Sequence, residues 1–198
     1  PFLFILGGAK FETKLPLIEK FLGIADYVFV GGALSNDIYK EKGYEIGRSK
    51  ISRINVNLKH IERNPKLIIP SDVVVASPLA RSVKNPDEVE PDEMIMDAGP
   101  KTIGEIGDLL NDVSFVLWNG PLGEYEKGFF EGTEALAQAL VLSKVPTVVG
   151  GGDTIAILSK LGVLDKFYFA STGGGAMLEF LAKGTLPGIT ALASPNQA

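Results

Sequence analysis

The sequence predicts an α/β fold, a three-layer α/β/α sandwich built on a mainly parallel sheet. Three observations carry that prediction. Short apolar, β-rich runs recur along the chain, five of them stop abruptly in glycine, and segments with helical periodicity follow. Near-continuous apolar strands belong to sheets covered by helices on both faces. Strand–helix alternation then implies right-handed βαβ crossovers and a Rossmann-like layering.

The elements follow in order. Phe2–Leu6 reads as a strand ending at Gly7-Gly8, and Leu15, Ile18, Phe21 and Leu22 recur behind it at helical spacing, with Pro16 suited to a first turn. Tyr27–Val30 ends at Gly31-Gly32. Apolar runs at 67–69 and Val73–Ala76 flank Pro70-Ser71-Asp72, and 77–93 reads as a polar surface excursion. Gly99-Pro100 opens a helix over 102–110 with Ile103, Ile106 and Leu110 on one face. The strand at 114–118 ends in Asn119-Gly120-Pro121-Leu122-Gly123, and a helix over 133–142 carries Leu136, Leu140 and Val141. The strand at 146–149 ends in Gly150-Gly151-Gly152, before a helix over 153–161 that opens on Asp-Thr. The strand at 167–170 ends in Ser171-Thr172-Gly173-Gly174-Gly175, before a helix over 176–182. The five junctions hold 12 of the 23 glycines.

Composition narrows the function classes. The 198 residues carry a formal charge of −5, with 19 Lys and Arg against 24 Asp and Glu, so no broad positive face for nucleic acid is expected. No apolar run reaches the roughly 18 residues of a membrane span. Cysteine is absent, which excludes disulfides, thiolate metal sites and a cysteine nucleophile, and fits a reducing compartment. The only histidine, His60, lies in a polar stretch and reads as a surface residue. The chain starts at Pro1 as a strand already under way, with neither methionine nor signal-peptide pattern.

In an open parallel sheet, ligands bind beyond the carboxyl ends of the strands. Glycine there lets backbone N–H groups approach a ligand, and the following helix aims its free N–H groups at the same place. Five such junctions on one edge point to a phosphate-rich ligand, although glycine also simply terminates strands. No G-x-x-x-x-G-K-[ST] occurs, and Gly150-Gly151-Gly152-Asp153-Thr154-Ile155 fails the dinucleotide fingerprint at its last position. Lys10 and Lys14 share a helix face at its N-terminal end, where cations oppose the helix dipole unless an anion joins them. Solvated surface lysines are the alternative. Asp153 suits either Mg²⁺ beside phosphates or an ordinary N-cap. Glu126 suits either a ribose or solvent.

Four ordered motifs are more specific than any one of these residues. Gly7-Gly8-Ala9-Lys10-x-x-x-Lys14, Trp118-Asn119-Gly120-Pro121-x-Gly123-x-x-Glu126, Gly150-Gly151-Gly152-Asp153-Thr154 and Ser171-Thr172-Gly173-Gly174-Gly175-Ala176-x-Leu178-Glu179 resemble the carboxy-terminal, nucleotide-binding half of the phosphoglycerate kinase family. Tyr44-Glu45-Ile46-Gly47, Pro70-Ser71-Asp72-Val73, Asp97-Ala98-Gly99-Pro100 and Leu186-Pro187-Gly188 extend the likeness over nearly the whole chain.

The resemblance implies a cytoplasmic, glycolytic kinase that moves a phosphoryl group reversibly between 1,3-bisphosphoglycerate and MgADP, giving 3-phosphoglycerate and MgATP. It implies Lys10 as the cation on the transferring group, with the amides of Gly173, Gly174 and Gly175 facing that group. Lys14 becomes a nucleotide-phosphate ligand, and Asp153 the holder of Mg²⁺. Thr154 and the amides of Gly151 and Gly152 meet phosphate oxygens, Asn119 sits near them, and Glu126 takes the ribose hydroxyls. Gly7-Gly8, Gly31-Gly32 and Met96 line the adenine slot.

Residues 1–198 would then be one nucleotide-binding domain and a monomer. ADP or ATP would be its partner, with the phosphoglycerates reaching it only through an amino-terminal domain on which 189–198 would dock. Such a chain alone is expected to bind nucleotide with negligible turnover. It departs from the family's commoner pattern at Ser49-Lys50, in Gly31-Gly32-Ala33-Leu34-Ser35-Asn36 and at Glu124, which bears on the choice among purine bases. The competing readings are a non-catalytic nucleotide-binding module on the same fold, an NAD-dependent oxidoreductase domain and an interaction domain.

Overall fold

The protein is described by a computed structural model covering residues 1–52 and 58–193. In chain order, β1 (Phe2–Leu6) leads through α1 (Phe11–Ile24) to β2 (Tyr27–Val30), and α2 (Ala33–Glu41) and the short α3 (Lys59–Glu62) precede β3 (Leu67–Ile68). Three strands follow without an intervening α-helix: β4 (Val73–Ala76), β5 (Arg81–Lys84) and β6 (Met94–Ala98). Then come α4 (Pro100–Leu109), β7 (Phe115–Asn119), α5 (Glu131–Ser143), β8 (Thr147–Gly150) and α6 (Gly152–Lys160). The described chain ends with β9 (Phe169–Ser171), α7 (Gly174–Lys183) and α8 (Pro187–Ala193).

Six strands form one parallel sheet in the order β3-β2-β1-β7-β8-β9. The chain therefore winds outward from β1 to one edge, crosses back to β7, and winds to the other. Such a reversal leaves a crevice between the two central strands, where open α/β sheets take their ligands. Alternate strand residues face opposite layers. Leu3, Ile5, Phe29, Val116, Trp118 and Val149 join Ile106, Leu110, Leu136, Leu140 and Leu158 in one core. Phe4, Leu6, Val28, Val30 and Leu117 join Phe11, Leu17, Ile18, Phe21 and Ile38 in the other. Each large apolar side chain so buried contributes about 1.5–3 kcal/mol. The three-layer α/β/α sandwich is thus the observed architecture.

The details differ from the pattern in three places. Helix α1 begins at Phe11, because the loop already ends at Lys10 in a left-handed conformation (φ 65°), so Pro16 falls inside the helix, where its exposed ring meets solvent. Residues 77–93 are more than a polar excursion: β5, the exposed edge, pairs antiparallel with β4, and β4 with β6, making a second sheet of three strands. Helix α2 carries no apolar stripe strong enough to read, because Ser35 and Asn36 are among its buried residues. Of the tail at 189–198, residues 189–193 belong to α8 and 194–198 lie outside the described residues.

The small sheet also holds the helices of one layer. Buried Asp72, just before β4, accepts hydrogen bonds from the Lys101 and Thr102 amides at 3.0 and 2.7 Å and from the Thr102 hydroxyl at 2.6 Å. It therefore caps α4 from a distant part of the chain. Buried Asp97, on β6, accepts from the Gly132 amide at 2.9 Å in the first turn of α5. Replacing Asp72 with alanine strands those donors, and we expect a loss of about 2 kcal/mol or more in urea unfolding, with Asp72→Asn losing less.

Candidate functional site

The crevice at the sheet reversal is built from backbone. Gly7 N–H donates to the Asn119 carbonyl at 2.8 Å and Gly8 N–H to the Pro121 carbonyl at 2.7 Å, which ties the loop after β1 to the loop after β7. A Cβ on Gly7 would stand 2.3 Å from the Pro121 oxygen, and one on Gly32 (φ 64°) 2.7 Å from the Gly8 nitrogen. Only glycine fits such contacts.

Above them opens a cleft of about 500 Å³, walled by Met96 of β6, Leu122, Ile157 of α6 and the turn at 124–126. Gly8, Gly32, Met96, Glu126 and Asp153 line it. Gly7 and Gly31 are buried and absent from its walls, Gly31 lying against Phe29 and Leu122.

The charged candidates converge at one end. The Lys14 ammonium donates to the Gly7 carbonyl at 2.6 Å. Burial lowers its pKa to about 8, with Asp153 pulling it back up and Lys10 pushing it further down. Lys10 itself is exposed and borders an adjoining recess of about 280 Å³. Asn119 is buried beneath Gly151, and its amide nitrogen has no hydrogen-bond partner among the described residues. Thr154 is fully buried, and its Oγ accepts from the Gly120 amide at 2.9 Å, leaving only its hydroxyl hydrogen to offer. At Gly174 a Cβ would lie 2.9 Å from the Cα of Gly151, so the N-termini of α7 and α6, with Gly173, Gly174, Gly175 and Gly152, abut.

Capping divides the helices by position. Helices α4 and α5 are capped by Asp72 and Asp97. At the helices that open from the glycine junctions, α1, α2, α6 and α7, neither the N-cap residue nor a remote side chain caps the first turn among the described residues. The Thr13 and Ser35 amides donate back to the Lys10 and Gly32 carbonyls at 3.2 Å, and the other first-turn N–H groups and the helix dipoles could meet an anion.

Several cleft residues were not foreseen. Tyr125 and Lys160 line it, the Lys160 ammonium lying 5.4 Å from the centre of the Tyr125 ring. Lys50 and Glu124, each marked out in the sequence as a departure that bears on the base, form an ion pair in its wall, a pairing the sequence did not show. Asp97 lines it while capping α5. Among the described residues no group of three or more His, Asp or Glu side chains forms a metal cage, and no helix is long and apolar enough to cross a membrane.

Fold and cleft together define a doubly wound α/β protein with a glycine-lined cleft at the carboxyl edge of its parallel sheet. The family model described as phosphoglycerate kinase matches residues 1–184, and the chain belongs to the phosphoglycerate kinase family. A phosphoglycerate kinase of Desulfosudis oleivorans is 40% identical, the match covering 97% of this chain and 51% of the relative. One of Latilactobacillus sakei is 44% identical, with 97% and 50% covered. The solved phosphoglycerate kinase of Coxiella burnetii superposes with a TM-score of 0.87 at 39% identity, covering 97% of this chain and 52% of that one. That of Pyrococcus horikoshii gives 0.82 at 32% identity, with 97% and 51% covered. The chain spans about half the length of the curated relatives it matches.

Asp97 gives the cleft a pH signature. Burial pushes its carboxyl up from 3.8 to about 7, against the pull of the Gly132 and Ala98 amides and with Glu131 adding to the rise. Between about pH 4 and 7 the folded chain keeps a proton that the unfolded chain has released, so this residue's contribution to stability falls as pH rises through that window and is flat above it. Urea unfolding of the native chain against Asp97→Asn should show the native chain losing on the order of a few kcal/mol relative to the variant from pH 4.5 to 7.5. A pH-independent difference would contradict the raised pKa.

Proposed function

We propose that this chain is the nucleotide-binding half of a phosphoglycerate kinase and binds MgADP or MgATP in the cleft. One observation carries the reading: four uncapped helix N-termini meet Lys14, Asp153 and the unpartnered Asn119 amide on a single sheet edge. Lys14 and the amides of Gly151 and Gly152 bind the nucleotide phosphates, with Asn119 and Thr154 beside them. Glu126 accepts from the ribose hydroxyls, and the base lies against Met96, Leu122 and Ile157.

Asp153 is exposed and offers one hard carboxylate oxygen at the mouth of the cleft. That donor set fits Mg²⁺, which takes one or two carboxylates and fills its remaining positions with phosphate oxygens and water. Bound there, the ion would neutralise phosphate charge. Lys10 and the amides of Gly173, Gly174 and Gly175 hold the transferring group. In ATP synthesis a β-phosphate oxygen of ADP bonds to phosphorus as the bond from phosphorus to the acyl oxygen breaks, and the electron pair stays on the 3-phosphoglycerate carboxylate. Nucleophile and leaving group are both already anionic, so no general base is required, and catalysis rests on positioning and charge stabilisation. The phosphoglycerate is brought by an amino-terminal domain.

A non-catalytic nucleotide-binding module would not need the paired cations at Lys10 and Lys14. An NAD-dependent oxidoreductase would instead take up NAD(H).

Two measurements test the proposal. Calorimetric titration should give heat of binding with MgADP and MgATP and none with 3-phosphoglycerate, with negligible turnover by the purified chain; binding of 3-phosphoglycerate without nucleotide would sink it. Lys14 supplies the second readout. With its pKa near 8 in the free chain, about half is neutral at pH 8, and an anion beside it raises the pKa. Nucleotide binding at pH 8 should therefore take up about half a proton, read from the dependence of binding heat on buffer ionisation enthalpy, and essentially none at pH 6.5. Lys14→Met should abolish the uptake and weaken binding by about tenfold or more.

A further inference from the structure

The wall of the cleft at 124–126 is polar in a specific way. The Glu124 amide donates to the Met96 carbonyl at 2.9 Å, which fixes the turn against β6. Its carboxylate is bonded through Oε1 to Lys50, 74 residues away in sequence, and through the same oxygen to Lys127 at 3.2 Å. Lys50 is positioned in turn by its own carbonyl, which accepts from Asn36 Nδ2 at 2.8 Å. Burial favours the neutral form of Glu124, but the two lysines outweigh it and hold the carboxyl below its usual range. The remaining oxygen, Oε2, takes part in neither ion pair. Lys50 and Glu124 both line the same cleft as the apolar side chains of Met96, Leu122 and Ile157.

This wall makes an unusual offer to a flat ring held between those side chains. It presents an acceptor that cannot donate beside a donor that cannot accept. Resting on the nucleotide-binding reading above, we propose that the Lys50–Glu124 pair reads the edge of the base, so that the cleft takes a guanine nucleotide in preference to an adenine one. Guanine presents two adjacent donors, N1–H and the N2 amino group, next to the O6 acceptor. Carboxylate on the donors and ammonium on O6 leaves no group of that edge unmatched. Adenine alternates, with its N6 amino donor beside the N1 acceptor, so a carboxylate that meets the amino group is set against a lone pair. A polar site discriminates most strongly when the wrong ligand leaves its groups unpaired. The Lys50 side chain is more than half exposed, and a surface pair of this kind adds little to stability, so removing it tests recognition rather than folding.

Calorimetric titration of the purified chain with MgGDP, MgIDP and MgADP decides the matter. Inosine keeps N1–H and O6 but lacks the N2 amino group. The expected order of affinity is GDP, then IDP, then ADP, with GDP about tenfold or more tighter than ADP. Glu124→Gln keeps the size of the side chain but replaces one acceptor with a donor. It should weaken GDP about tenfold while changing ADP less than about threefold, and retained ADP binding shows that the variant is folded. Equal or tighter binding of ADP to the native chain overturns the inference, as does a parallel loss of GDP and ADP in Glu124→Gln; both leave the nucleotide-binding reading intact. Failure of all three nucleotides to bind overturns that reading and takes the inference with it.

Discussion

Backbone contact among the loops that follow β1, β2 and β7 sets what the rest of this structure can do. A Cβ on Gly7 would stand 2.3 Å from the Pro121 oxygen, one on Gly120 (φ 94°) 2.4 Å from the Gly7 oxygen, and one on Gly32 2.7 Å from the Gly8 nitrogen. Three loops can pack this closely only because none carries a side chain at the contact. The consequence reaches both directions along the chain. Toward the core, the loops hold the ends of the two central strands in register, where β1 pairs with β7 from Phe2 to Leu6. Toward solvent, they leave a floor of main-chain atoms with helix N-termini around it, and the cleft stands on that floor.

Capping follows the same division. The two helices pinned by the small sheet draw their caps from buried aspartates far away in sequence, and Gly99, Gly123 and Gly132 leave the carboxylates room: a Cβ on any of them would come within 2.6 Å of Asp72 or Asp97. The antiparallel sheet therefore does two jobs with one set of residues. It forms a wall of the cleft through Met96, and it fixes α4 and α5 through Asp72 and Asp97. Local sequence at the helix starts shows neither cap, because the cap of α4 comes from about 30 residues away and that of α5 from 35.

Legibility of the fold tracked how uniformly each element is buried. Strands β1, β2 and β7 read clearly because both faces are apolar. Helix α2 did not, since Ser35 and Asn36 are buried polar residues on what should be its apolar face. Strand β5, Arg-Ser-Val-Lys, is an exposed edge with nothing buried to mark it, and β6 hides a carboxylate in its core-facing register. At the site, Lys10 and Lys14 were legible because cations are costly at a helix start without a reason, whereas Asp153, a residue type favoured there, was marked out only by the three glycines before it. Gly7 and Gly31 share the composition of Gly8 and Gly32 but lie under the cleft, a distinction of depth that spacing does not carry. Glu124 and Lys50 stood out singly in the sequence, but their pairing joins segments that only the fold brings together.

The free site holds several unfavourable arrangements at once. The part-buried Lys14 ammonium shares its surroundings with a second lysine at the positive end of α1, and among the described residues an amide nitrogen of Asn119 is buried without a partner and four helices begin without a side-chain cap. A buried unpaired polar group costs about 1–3 kcal/mol, and a cation at a helix N-terminus up to about 1 kcal/mol. The Gly7 carbonyl and Asp153 offset part of the Lys14 charge, whereas the caps of α4 and α5 show that this chain does place carboxylates on helix starts elsewhere. A single anion on the carboxyl edge would relieve the charge, the dipoles and the unpaired amide together. On the proposed function, the deficit at the site and the affinity for a nucleotide would be two views of one free energy, since the same residues that are poorly satisfied alone would be met by a ligand carrying several phosphate oxygens.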